Sequence, residues 1–239
     1  MSRSLFVADV HLAPGKPESQ QAFVRFLEAQ RGLDALYLLG DIFDYWIGPR
    51  HLRSPDYRPA IDALRAAVRS GTRILFVPGN RDYFVDGTFA SATGVRMLGD
   101  SAVVELGGRR VLLAHGDFVY NRNPKYAAYR RLMRFGALRS LYLAMPERMS
   151  RGIARGFKTV SMKTTPAVRW TREALIDGAR PHFARGIDVL VCGHIHAPQH
   201  VRTEYRNRPR DVYVLGDWDG GGREVLEFDG EFRMRAWNG

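Results

Sequence analysis

Five short motifs carry side chains that bind metal ions, and each follows an apolar run. They are Asp9-Val-His11, Gly40-Asp41, Gly79-Asn80, His115-Gly-Asp117 and Gly193-His-Ile-His196. Together they offer Asp9, His11, Asp41, Asn80, His115, His194 and His196 as donors. Carboxylate, amide and imidazole donors without a thiolate suit Mn²⁺, Fe or Zn²⁺ in a reactive centre better than a closed structural zinc site. Seven donors exceed the needs of one ion, so two ions sharing a bridging carboxylate is the economical count. Each motif alone is ordinary, since Gly-Asp and Gly-Asn are common turn dipeptides and an isolated His-x-His is often only surface. Five in this order, each directly after an apolar strand, make coincidence a poor explanation.

The motifs need a frame that brings them together. Apolar runs predict strands over 5–8, 35–39, 73–77, 110–114 and 189–192, and a second set over 102–106, 211–215, 224–228 and 232–237. Helical periodicity covers 20–30 through Phe23, Phe26 and Leu27, and 58–70 through Ile61, Leu64, Ala67 and Val68, where Gly71 closes the helix. A further helix is expected within 166–184, and Gly107-Gly108 turns one strand into the next. The pattern is α/β: a two-sheet β-sandwich flanked by helices, one domain over 1–239 with a helical cap insertion at 120–165. In such layered proteins, loops beyond strand ends converge on one edge and build sites.

With these motifs in hand, the chain resembles the calcineurin-like metallophosphoesterase family, whose pattern runs D-x-H, G-D, G-N-H/R-D/E, H-G, G-H-x-H. Within it the text is most similar to the UDP-2,3-diacylglucosamine pyrophosphatases of lipid A biosynthesis. The likeness rests on residues 34–48, on Gly79-Asn-Arg-Asp82, on 109–117, on Lys125-Tyr126 and on Val214-Leu-Gly-Asp-Trp218, and covers nearly the whole chain. It implies two divalent metal ions, with Mn²⁺ the expected metal. Asp9, His11, Asp41 and His196 would hold one ion. Asp41, Asn80, His115 and His194 would hold the other, Asp41 bridging, and a metal-bound hydroxide would attack phosphorus in line. The implied catalytic residues are Asp41, Asn80, Arg81 and His115, and the products would be UMP and 2,3-diacylglucosamine 1-phosphate.

Arg81 narrows the chemistry. Many relatives carry His after Gly-Asn, where it is thought to protonate the leaving group. An arginine stays protonated near neutral pH and serves poorly as an acid, whereas its planar fork suits a phosphate. That exchange makes sense when the leaving group is itself a phosphate, as in a pyrophosphate. The plainer alternative is an arginine that pairs with Asp82 or another carboxylate. The resemblance further implies a cap over the metal edge, with Asn123, Lys125, Tyr126, Lys158, Ser161 and Lys163 facing the substrate beside Arg81 and His194. Two stretches depart from the common text: Tyr120-Asn-Arg-Asn123, and the residues from Thr165 to Thr171. They put the sugar and uridine contacts in question and leave room for another nucleotide-diphosphate or phosphodiester substrate.

Composition sets the outer bounds. The 239 residues are 45% hydrophobic and 26% charged, which excludes disordered and fibrous classes. The single cysteine, Cys192, rules out an internal disulfide and reads as a buried strand residue, not a ligand. No run approaches the ~18 apolar residues of a membrane span, and the first apolar run breaks at Asp9, too soon for a signal peptide. A cytoplasmic protein is expected. Its charge of +11 is concentrated: residues 120–163 hold eleven Lys and Arg against the lone acid Glu147. The same stretch spaces Leu138, Leu141, Tyr142 and Met145 as an amphipathic helix. On charge alone, a solvated helix pair suffices. Beside a two-metal edge, the stretch suits an amphiphile with a diphosphate head at the inner-membrane surface. A nucleic-acid partner is not expected, for want of a base-stacking ladder, and a metal-bound scaffold would not need open coordination.

Overall fold

The computed structural model describes residues 3–120, 124–133, 142, 145, 149, 152, 170–219 and 222–239. Eleven strands form two sheets. The first has the order β11-β10-β1-β2-β3-β4 and the second β5-β6-β7-β9-β8. The strands are β1 (Ser4–Val7), β2 (Ala35–Leu38), β3 (Arg73–Phe76), β4 (Arg96–Met97), β5 (Ser101–Leu106), β6 (Arg109–Ala114), β7 (Val189–Cys192), β8 (Gln199–Tyr205), β9 (Arg208–Val214), β10 (Glu224–Phe228) and β11 (Phe232–Ala236).

Residue alternation along each strand explains the layering. Phe6, Tyr37, Leu113, Val191, Tyr213 and Leu226 point inward and join the two sheets in a shared core. Leu5, Val7, Leu36 and Leu38 point the other way, onto α1 (Pro17–Ala29) and α2 (Arg58–Arg69) through Phe23, Phe26, Ile61 and Leu64. On the far side, Leu112, Leu190 and Val212 meet Leu175, Ala179 and Phe183 of a helix spanning Arg172–Phe183. The result is a helix–sheet–sheet–helix sandwich, as expected from sequence. Because the central strands are covered on both faces, they are written as unbroken apolar runs.

Parallel pairing puts the motif ends together. β1, β2 and β3 run parallel in the first sheet, and β6, β7 and β9 in the second. Their C-terminal ends therefore open on one edge. Between them lie α3 (Gly87–Thr93), a short α4 (Asp117–Tyr120) and α5 (Pro124–Met133), so the helix at 172–183 is α6. The expected elements are recovered within a residue or a few at each end. The structure adds β4, β8 and α3, which sequence reading omitted, and the helix expected over 166–184 begins at Arg172.

Little of the expected cap falls within the described residues. Besides α5, Tyr142 is buried and stacks on Phe84 with ring centroids 4.3 Å apart. The amphipathic spacing at 138–145 otherwise lies outside the described residues. Cys192 is buried in β7, as expected, and burial pushes its thiol up to about 12. Tyr120, the first residue of one divergent stretch, packs against Trp170 and fits over Gly178, where a Cβ would collide with its ring. That substitution is one of packing.

Candidate metal centre

Each donor stands just past a strand end, and five of the seven lie on backbone that few residues adopt. Asp9, His11, Asp41, His194 and His196 all have positive φ, between 52° and 73°. This left-handed conformation costs a side-chain-bearing residue of the order of 1 kcal/mol or more. It turns the chain sharply so that successive polar side chains leave the strand toward the edge. The loops are tied to one another: Asp9 N–H donates to Gly40 O (3.1 Å), His11 N–H to Asp41 O (3.0 Å) and Gly193 N–H to His115 O (2.9 Å). Two glycines let the loops close. A Cβ on Gly79 would overlap Asp41 Oδ1, and one on Gly193 would overlap Asp9 Oδ2.

The side chains form two overlapping groups. Asp9, His11 and His196 offer ligand atoms within 4.8 Å of one another, and so do Asp9, Asp41 and His115. Asp9 is common to both. Asp41, the bridge implied by resemblance, belongs to the second. Asn80 Oδ1 lies 3.0 Å from His115 Nε2. His194 is in neither group; its ring packs edge-on to His115 at 5.0 Å, and its N–H donates to Asp9 Oδ2 (2.7 Å). All seven sequence-derived donors thus meet at one edge.

Three observations fit a divalent cation. Asp9 Oδ1 is buried without a hydrogen bond. The Nε2 atoms of His11 and His196 converge beside it, 3.2 Å apart. His115 Nδ1 meets the carbonyl of Leu39 at 2.9 Å, which holds that nitrogen's proton and turns Nε2 toward Asn80 Oδ1 among the donors. Protonation agrees. Burial alone would raise Asp9, but contact with His196 and the charge of His115 hold it at about 2. Burial lowers His11 to about 3 and His194 to about 4. Burial would also lower His115, yet Asp41, Asp9 and Asp117 lift it to about 9. A cation entering here therefore competes with the His115 proton.

Arg81 reaches the same edge. Its Nε lies 3.3 Å from Asp41 Oδ2, its Nη1 pairs with Asp44, and its backbone N–H donates to Asp41 Oδ1 (2.9 Å). It pairs with carboxylates, as the plainer alternative had it, but they are Asp41 and Asp44, not Asp82. Asp82 is fully buried and accepts from Gly79 N–H (2.7 Å) and Ile42 N–H (2.8 Å), stapling two motif loops together. Tyr126 lies nearby with its hydroxyl donating to Asp117 (2.7 Å). Asn123, Lys158, Ser161 and Lys163 lie outside the described residues, as does the side chain of Lys125.

Sequence reading missed Asp217, whose Oδ2 is 3.1 Å from His196 Nδ1. The signal was present, because Val214-Leu-Gly-Asp217 repeats the apolar-run-then-Gly-Asp form of the other motifs. Asp44 and Asp117 were also missed as site residues. Asp117 stands in the His115-Gly-Asp117 motif but is not among the sequence-derived donors, and Asp44 is marked only by its pairing with Arg81.

The model for calcineurin-like phosphoesterases matches residues 2–198, most of the chain and every one of these donors. The chain belongs to the calcineurin-like phosphoesterase family. It is 34% identical to the UDP-2,3-diacylglucosamine hydrolase of Aeromonas hydrophila, over 97% of each chain. It is 36% identical to the Pseudomonas putida protein of the same name, over 90% of each. Among solved structures, a dimetal phosphatase from Danio rerio superposes with a TM-score of 0.50 at 14% identity, covering 98% of this chain and 95% of that one. That likeness concerns the phosphoesterase fold. Divalent metals are the family's cofactors, and this member has the donors to hold them.

Proposed function

We propose that this phosphoesterase hydrolyses the pyrophosphate bond of UDP-2,3-diacylglucosamine, releasing UMP and 2,3-diacylglucosamine 1-phosphate. The observation that carries the reading is Arg81 at a donor-rich edge, in a chain whose relatives of matching length bear that hydrolase name. Asp9, His11, Asp41 and His196 would hold one cation, and Asp41, Asn80, His115 and His194 the other, with Mn²⁺ the metal we favour. Two such cations supply a nucleophilic water at neutral pH and neutralise charge on the phosphoryl oxygens.

The protein's own groups orient and bind. Leu39 O and the Asp217 carboxylate fix the rings of His115 and His196 by their Nδ1 atoms. Asp44 holds Arg81 beside Asp41, where its guanidinium can pair with a phosphate oxygen. No proton need come from Arg81, because a departing phosphate monoester is already a stable anion. An alkoxide leaving group would lack its acid. This favours a pyrophosphate over a simple phosphodiester.

Residues 120–165 would form a cap in one domain with the metal edge, with Asn123, Lys125, Tyr126, Lys158, Ser161 and Lys163 toward the substrate. Its basic, apolar sequence suits a lipid-bearing diphosphate at the cytoplasmic face of a membrane. No described helix is long and apolar enough to cross one. Incubating the protein with Mn²⁺ and UDP-2,3-diacylglucosamine should release UMP. Hydrolysis of other nucleotide diphosphates or phosphodiesters without UMP from this substrate would overturn the reading.

A further inference from the structure

Asp117 follows His115-Gly116 and opens α4, yet its carboxylate faces neither cation group. It is 2% exposed. Its Oδ2 accepts from the hydroxyl of Tyr126 (2.7 Å) and from that of Tyr83 (3.2 Å), and lies 3.3 Å from Arg130 Nε. Tyr126 and Arg130 are four residues apart on α5, so they share one face of that helix. Tyr83 stands two residues beyond Arg81. Arg130 also reaches Asp100 Oδ2 (3.2 Å) and lies over the Phe118 ring, 4.2 Å from its centroid. One buried carboxylate thus joins α5, the Arg81 loop and the end of β6.

We infer that Asp117 is a positioning residue that docks α5, and with it Tyr126, against the metal edge. The inference rests on the proposed placement of Tyr126 toward the substrate. A buried carboxylate is costly unless its oxygens are satisfied, and here two of the three groups that satisfy it belong to α5. Undocking α5 would strand the charge, so the helix and the metal edge are coupled. Tyr126 is held in a fixed orientation by donating its one hydroxyl proton to Asp117, which leaves its oxygen to accept from a sugar hydroxyl.

The test uses the full-length protein and compares Asp117→Ala with Arg130→Gln, which loosens the α5 side alone. Hydrogen exchange over residues 124–133 should accelerate roughly ten- to a hundredfold in Asp117→Ala, and less in Arg130→Gln. Bound metal, measured by elemental analysis, should stay at the wild-type level in both. KM for the substrate should rise more than kcat falls. Unchanged exchange over 124–133 in both variants would overturn the inference, and so would loss of metal in Asp117→Ala, which would make Asp117 part of the metal site. Should Asp117→Ala fail to fold, Arg130→Gln decides by the same exchange. Exchange and metal content need no substrate, so a wild-type protein that releases no UMP would defeat the substrate reading and leave the docking result standing.

Discussion

His196 and His200 are four residues apart, and each pairs with an aspartate from β9 or just past it. At the metal edge, Asp217 takes Nδ1 of His196 at 3.1 Å, and Nε2 is left facing His11 and Asp9. On the second sheet, Asp211 takes Nε2 of His200 at 2.7 Å, and the other oxygen of Asp211 takes Arg109 at 2.6 Å. The His200 ring lies flat on Tyr213, 4.2 Å away and 5° from parallel. The first pair aims a nitrogen at other donors, and the second consumes its nitrogen in a local ion cluster. A His–Asp spacing therefore marks no site by itself. What matters is which nitrogen the carboxylate occupies and what the other one meets.

The contrast can be broken in several ways. The largest effect belongs to the edge itself: Asp41→Ala or His115→Ala should abolish Mn²⁺-dependent release of UMP while circular dichroism stays native. Retained turnover would remove the proposed centre. Next, Asp217→Asn should weaken metal binding by about ten- to a hundredfold in a competitive chelator titration, whereas Asp211→Asn should leave it unchanged. Equal losses in both would erase the distinction between the pairs.

A smaller effect concerns stability at low pH. Burial would raise Asp211, but hydrogen bonds from Arg109 and His200 hold it below the usual carboxylate range. Its stabilisation is present above an unfolded value of about 3.9 and is lost as pH falls through the lower folded value. Asp211→Asn should therefore lower Tm at neutral pH and flatten its decline below about pH 4. An unchanged acid limb would count against the cluster. Smallest of all, His200→Ala should cost about 1 kcal/mol, seen as a modest Tm shift, with kcat intact.

The metal edge was the most legible part of the chain. Strands buried on both faces leave unbroken apolar runs, and every motif run but the first stops at a turn that contains a Gly. Asp217 was equally legible by that rule, since Val214-Leu-Gly-Asp217 has the form of Leu38-Leu-Gly-Asp41. β8 was harder, because its inward positions Val201, Thr203 and Tyr205 are few and one is polar, while His200, Arg202 and Glu204 face out, and its pairing with β9 supplies the order. α3 is short and begins with Gly87, although Asp86 caps it by accepting from Thr88 N–H at 2.9 Å. The roles of Asp44, Asp82 and Asp117 were not legible. Each depends on a partner brought in by the fold, such as Arg81, 37 positions from Asp44.

The placement of β1 has a consequence for how the protein is made. β1 lies between β2 and β10, so the earliest strand is flanked by one of the last. Asp9 likewise receives the N–H of His194 on its side chain and that of Trp218 on its carbonyl (3.0 Å). During synthesis, Asp9, His11 and Asp41 emerge long before the segments that complete their surroundings. Contacts this distant in sequence form late and slowly. A nascent chain would therefore hold only half a cation cage, and firm metal capture would report that synthesis has passed β9.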